Sequence, residues 1–140
     1  MSYLNLFVHC VWSTKKREPF LTNSKTRNKI WTHIRINAKE KGIKIINVNG
    51  YIDHCHVLIN LKAEQSIVRV IKLIKGESSY WINEKHLTDE PFKWQRKFYA
   101  ASVSKKELHK VYQYIEHQEV IHAKRLLTFE KEMLFQMGSN

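Results

Sequence analysis

Four residues in two parts of the chain have types and spacings that could do chemistry together. The stretch Gly50-Tyr-Ile-Asp-His-Cys-His-Val-Leu-Ile-Asn60 sets His54 and His56 on either side of Cys55. Neutral imidazole is a good ligand for divalent metals, and on a strand, residues at i and i+2 share a face and can converge on one cation. Further on, Tyr112-Gln-Tyr114-Ile-Glu-His-Gln118 places Tyr114 and Gln118 at i and i+4, one helical face. Gln118 offers a carbonyl oxygen suited to Mg²⁺ or Mn²⁺, and Tyr114 offers a phenol, a nucleophile able to form a covalent phosphoester. Tyr112 points well away from Tyr114, so the two tyrosines do not share a site. Each piece has an ordinary reading when taken alone. A His-x-His pair can be two hydrogen-bonded surface histidines, and a lone helical tyrosine is usually a packing residue.

These groups must be positioned by the elements around them. Period two in residues 53–61 puts Cys55, Val57, Ile59 and Leu61 on one apolar face and His54, His56, Leu58 and Asn60 on the other, expected to be open. That parity turns Cys55 away from both histidines and excludes a zinc site made of the two Cys and the two His. Residues 3–13 alternate as a strand, with Leu4, Leu6, Val8, Cys10 and Trp12 on one face and His9 on the other. Residues 25–41 carry Ile30, Trp31, Ile34 and Ala38 at helical spacing, with Ser24 as the expected cap and Gly42 as the stop. A strand is expected over 43–49, with a hairpin connection at Asn47-Val-Asn-Gly50. A helix over 65–85, interrupted at Gly76, a strand over 98–103 and a last helix over 105–126 complete the series. Ser104 and Glu107 form a capping box for that last helix. The order β-α-β-β-α-β-α predicts an α+β fold: a ferredoxin-like, RRM-like split βαβ sandwich plus a C-terminal helix carrying the tyrosine. The first two helices should cover one face of its antiparallel sheet.

At 140 residues the chain suits one domain, expected over residues 1–127, with 128–140 as its C-terminal tail. It lacks an apolar run long enough to cross a bilayer, and its first residues have no basic stretch before the apolar one, so no membrane association and a cytoplasmic location are expected. A net charge of +11 points to a polyanion, most commonly nucleic acid. The loop Lys15-Lys16-Arg17 is the first candidate for binding a DNA backbone, and Arg69, Lys72 and Lys75 on the second helix are the next, against the plainer reading of a solvated helix face. Trp94 and Tyr99 are candidates to stack on extruded bases, though most aromatics here suit the core.

The pieces HCVWSTKKREPFL, DHCHVLI, IKGESSYWIN, FYAASVS and YIEHQEVIH, spread over residues 5–123, stand in an order that resembles the HUH endonuclease superfamily. Within it the chain is similar to the small single-tyrosine transposases of the IS200/IS605 type. The position between the two histidines holds Cys55, which when buried acts as a small hydrophobe. The resemblance implies that His54, His56 and Gln118 hold Mg²⁺ or Mn²⁺, and that Tyr114 attacks a phosphodiester of single-stranded DNA to give a 5′-phosphotyrosine and a free 3′-hydroxyl. It implies a transposase acting on subterminal hairpins at insertion-sequence ends, as a homodimer whose tyrosine helices can complete each other's sites. The alternatives are a non-catalytic basic module of the same fold that binds single-stranded DNA or RNA, and a metal nuclease that hydrolyses without a covalent step.

Overall fold

The computed structural model describes residues 4–123. The elements run β1 (Phe7–Ser13), α1 (Ser24–Glu40), β2 (Lys44–Tyr51), β3 (His54–Asn60), α2 (Ile67–Glu84), β4 (Tyr99–Val103), α3 (Leu108–Glu116) and α4 (Gln118–Ala123). The four strands form one antiparallel sheet in the order β2-β3-β1-β4, the arrangement expected of a split βαβ sandwich. The tail 128–140 and the last residues of the expected final helix lie outside the described residues.

Alternation decides which face each helix covers. Cys10 and Trp12 of β1 and Cys55, Val57 and Ile59 of β3 join Ile30, Trp31 and Ile34 of α1 and Val70, Ile71 and Ile74 of α2 in the apolar core. The opposite face, expected to be open, is covered. His54, His56 and Leu58 are fully buried there, because α3 and α4 pack over β2 and α3 reaches β3. The reason lies in β2. Asn47 and Asn49 are strand residues rather than a turn, and the hairpin turns instead at Ile52 and Asp53. Their side-chain amides reach across to α3: Asn47 Nδ2 donates to the Tyr112 carbonyl (3.3 Å) and the Glu116 carboxylate (3.0 Å), and Asn49 Nδ2 donates to the carbonyls of Ile115 (3.0 Å) and Glu116 (3.1 Å).

Those bonds also explain why the expected single last helix is two. Carbonyls at the end of a helix need partners outside it. Here Asn49 takes those of Ile115 and Glu116, and the Gln118 side-chain amide takes that of Tyr114 (2.9 Å). The chain breaks at His117, whose φ and ψ of −102° and 30° are not helical. Ser104 does accept from Glu107 N (3.2 Å), but it caps a turn just ahead of α3. Two smaller expectations shift as well. Asn23, not Ser24, caps α1 by accepting from Thr26 N (3.1 Å), and α2 runs unbroken through Gly76. Gly50 is required by close approach: a Cβ there would stand 2.2 Å from the His54 carbonyl oxygen and 2.9 Å from the Trp31 ring.

Candidate active site

The sheet brings the histidines together by register. In β1, His9 pairs with Leu58 and Val11 with His56, so His9 and His56 are diagonal neighbours on one face. Their rings stack with centroids 5.2 Å apart, and His9 Nε2 lies 2.9 Å from His56 Nδ1. That contact makes Nε2 the nitrogen His56 would offer a metal. Tyr114, half-buried on α3, stands edge-on to both rings, with centroids 5.6 Å from His56 and 6.3 Å from His9.

His54 is oriented from the hairpin turn. Its Nδ1 is 2.8 Å from Asp53 Oδ1, and the other carboxylate oxygen, Oδ2, accepts from Arg17 Nη2 at 3.2 Å. Burial alone would raise the Asp53 pKa. The His54 and Arg17 partners outweigh it and hold the carboxyl below its ordinary range. A carboxylate at Nδ1 selects the tautomer with the proton on that nitrogen, which turns a lone pair on Nε2 toward the fully buried Gln118. Gln118 Nε2 donates to the Tyr114 carbonyl, which fixes Oε1 as the amide atom facing His54 Nε2, 3.3 Å away. Two lone pairs that face each other across a buried gap suit a cation between them. Neighbouring ligands on an octahedral ion with bonds of about 2.1 Å stand about 3 Å apart, so the spacing fits.

Among the described residues, no three His, Cys, Asp or Glu side chains are grouped to hold a metal ion. Neither cysteine takes part. Burial pushes the Cys10 thiol up to about 12 and Cys55 well above its ordinary value, so both stay protonated in the core.

The structure thus brings the buried His54, His56 and Gln118 and the half-buried Tyr114 into one cluster. Sequence reasoning placed His9 on the right face but did not count it in the site, and it passed over Asp53, whose position directly before His54 in a tight turn was the available signal. α4 is tied to the body by Arg27. This buried guanidinium donates to the Leu21 carbonyl (2.8 Å) and to Glu119 Oε1 (2.6 Å) and lies 5.1 Å from the Tyr51 ring centroid. The expected DNA contacts divide. Lys15, Lys16 and Arg17 are exposed after β1, and Arg69 and Lys72 are exposed on α2. Lys75 is turned inward: its ammonium donates to the carbonyls of Gln95, Arg96 and Lys97 at 2.5, 3.0 and 3.4 Å, and burial lowers its pKa to about 8. Its ammonium is thus engaged by the backbone of residues 95–97, unlike the exposed cations around it. Trp94 is also lost as a base platform, because it is 4% exposed and its indole donates to Ser78 Oγ (2.9 Å).

The family described as "Transposase IS200 like" matches residues 2–118, the span that holds the whole of this cluster. The chain belongs to the IS200-like transposase family. Two relatives, both named as the transposase for insertion sequence element IS200, come from Salmonella typhimurium strain LT2 and Salmonella typhi. Each is 28% identical over 120 residues, covering 81% of this chain and 77% of its own length. Among solved structures, a candidate transposase from Deinococcus radiodurans R1 superposes with a TM-score of 0.64 at 21% identity, over 84% of this chain and 95% of that one. A REP-associated tyrosine transposase bound to a REP hairpin superposes with a TM-score of 0.62 at 16% identity, over 87% and 72%. These two likenesses speak to the fold alone, and they agree with the split βαβ sandwich. Among the described residues no helix is long and apolar enough to cross a membrane.

Proposed function

We propose that this IS200-like transposase is a metal-dependent single-stranded DNA endonuclease and strand transferase, acting in the cytoplasm on hairpin-bearing ends of an insertion sequence. The observation that carries the reading is the cluster itself. A phenol stands edge-on to an imidazole pair, and an amide oxygen from the same short stretch of chain faces the third imidazole.

In this reading His54 Nε2, His56 Nε2 and Gln118 Oε1 would hold one Mg²⁺ or Mn²⁺, which when bound draws charge from the scissile phosphate and orients it. Tyr114 is the nucleophile. Its phenolic oxygen forms a bond to phosphorus as the bond to the 3′-oxygen breaks. The phenol loses its proton and the departing oxygen gains one, leaving a 5′-phosphotyrosine and a 3′-hydroxyl. The ester keeps the energy of the broken bond, so a second 3′-hydroxyl can reverse the step on another strand without a nucleotide cofactor. That suits strand transfer better than degradation. Asp53 holds the His54 ring in its tautomer, and the buried His9 holds His56. The cluster contains groups from a single chain, and a homodimer in which α3 and α4 dock on the neighbouring copy would use the same contacts.

The test is a denaturing gel. Purified protein is incubated with single-stranded DNA carrying a subterminal hairpin, with Mg²⁺ or Mn²⁺. A protein band shifted by covalent DNA is expected, and it should vanish with a chelator. Cleaved DNA without a shifted band would mean hydrolysis instead, and binding without cleavage would mean a non-catalytic module.

The carboxylate behind His54 gives a separate expectation. Partners of metal-bound histidines typically account for 10- to 100-fold in metal affinity. Asp53→Ala should weaken Mn²⁺ binding in a calorimetric titration by about 10- to 100-fold, with little loss of affinity for DNA. Unaltered Mn²⁺ affinity in that variant would remove Asp53 from the role given to it.

A further inference from the structure

We infer that a groove beside the cluster binds the sugar-phosphate backbone of single-stranded DNA, and that Lys93, Arg96 and Lys97 form its second wall opposite Lys15, Lys16 and Arg17. The inference rests on the nuclease reading and locates one flank of its substrate. The groove has a volume of about 560 Å³, and its lining holds these cationic side chains, Trp94 and Gln95, with no Asp or Glu among them. A concave surface lined by one sign of charge concentrates its field and favours a flexible polyanion.

The groove is built rather than incidental. Its first wall is a strained turn: Lys16 and Arg17 both have φ of +55°, a conformation non-glycine residues keep only where the surroundings enforce it. Here they do. Lys15 N donates to the Lys93 carbonyl (2.9 Å), Arg17 N to the Thr14 carbonyl (2.9 Å), and Thr14 Oγ1 to the Glu18 carbonyl (2.6 Å). The first of these bonds ties the two walls together directly. The second wall is pinned from below, where Lys75 donates to the carbonyls of residues 95–97 and Ser13 Oγ donates to Gln95 Oε1 (2.9 Å). Strain held at a fixed place is a mark of a working surface.

A second observation names the ligand's charge. The Lys97 ammonium is buried, and no acceptor among the described residues bonds it. A buried cation without a counter-charge is costly, and an anion entering the groove would relieve it. The nature of the walls says which part of a strand would enter. Trp94 is 4% exposed and its indole is spent on Ser78, so the groove offers little aromatic surface to a base. Phosphates, not bases, fit. Finally, Arg17 on the rim pairs with Asp53, and Asp53 with His54, so a strand lying here runs beside the proposed scissile position.

The test uses full-length protein carrying Tyr114→Phe, so that binding is read without chemistry, and two labelled hairpin-free oligonucleotides, one oligo-dT and one of mixed sequence. Adding Lys93→Ala with Arg96→Ala, both exposed, should weaken binding of both oligonucleotides. The slope of log affinity against log salt should fall by about 1.4, from two contacts at about 0.7 each on single strands. Adding Lys25→Ala with Lys29→Ala instead removes equal charge from exposed positions on α1 and should leave the slope where it was. An unchanged slope in the Lys93 and Arg96 pair, an equal loss in the Lys25 and Lys29 pair, or a loss confined to one oligonucleotide would each overturn the groove. None of these measurements involves an adduct. Absence of adduct in the wild type would therefore strike the nuclease reading alone.

Discussion

Tyr114→Phe should eliminate the covalent protein–DNA band, by at least about a thousandfold, while leaving affinity for single-stranded DNA within about twofold. Removal of a nucleophile commonly costs several powers of ten, because nothing else in the site can form the bond. The ring itself does not change, so the edge-on packing against His56 and His9 survives and only the attacking oxygen is lost. Tyr112→Phe is the matched control. Tyr112 lies two residues back on α3, and its backbone carbonyl, rather than its phenol, is what Asn47 holds. It should form adduct at the wild-type rate. A shifted band that persists in Tyr114→Phe and vanishes in Tyr112→Phe would mean that the wrong phenol has been chosen. Cleavage that persists in both single variants and in the double variant, with no band in any, would mean that no tyrosine attacks.

His56→Ala should abolish cleavage and weaken Mn²⁺ binding by at least about a hundredfold, because it deletes a proposed metal donor outright instead of a residue behind one. Affinity for a hairpin oligonucleotide should stay within a few-fold, since the positive charge proposed to attract DNA lies elsewhere, on the turn after β1 and the segment before β4. His56 is fully buried and bonded to His9, so the substitution also opens a small cavity and leaves the His9 nitrogen to find water. A thermal melt keeps the two effects apart. A variant that melts cooperatively and binds DNA but not metal supports the assignment. A variant that folds, loses no Mn²⁺ affinity and still cleaves would end it. His54→Ala should behave in the same way, with the added consequence that Asp53 is left paired with Arg17 alone.

Much of this was legible in the sequence, for a physical reason. Strand parity is a local property, and it put Cys55 on the core face and both histidines on the other without any knowledge of the fold. Helical spacing likewise put Tyr114 and Gln118 on one side of their segment. What could not be read were contacts made across the sheet. Asn47 and Asn49 look like turn residues because their side chains can bond local backbone, but here they bond the backbone of α3. That choice moved the hairpin to Ile52 and Asp53, closed the face expected to be open, and broke the last helix at His117. Lys75 read as a surface cation because lysines usually are, yet its ammonium serves three carbonyls. Asp53 and His9 stayed outside the expected site because each meets it only through a contact with a histidine, and the one sequence signal for Asp53 was its place directly before His54.

The junction between α3 and α4 has a further effect. One amide on Gln118 grips the carbonyl of Tyr114 on one side and meets His54 on the other. Weapon and trigger are thus carried on the same stub of chain. In the proposed chemistry, a stub lifted off the sheet would deprive the phosphate of its attacker and the ion of a ligand in a single motion. On that proposal, a copy of the protein caught in that posture would be disarmed, unable to nick DNA it merely brushes against.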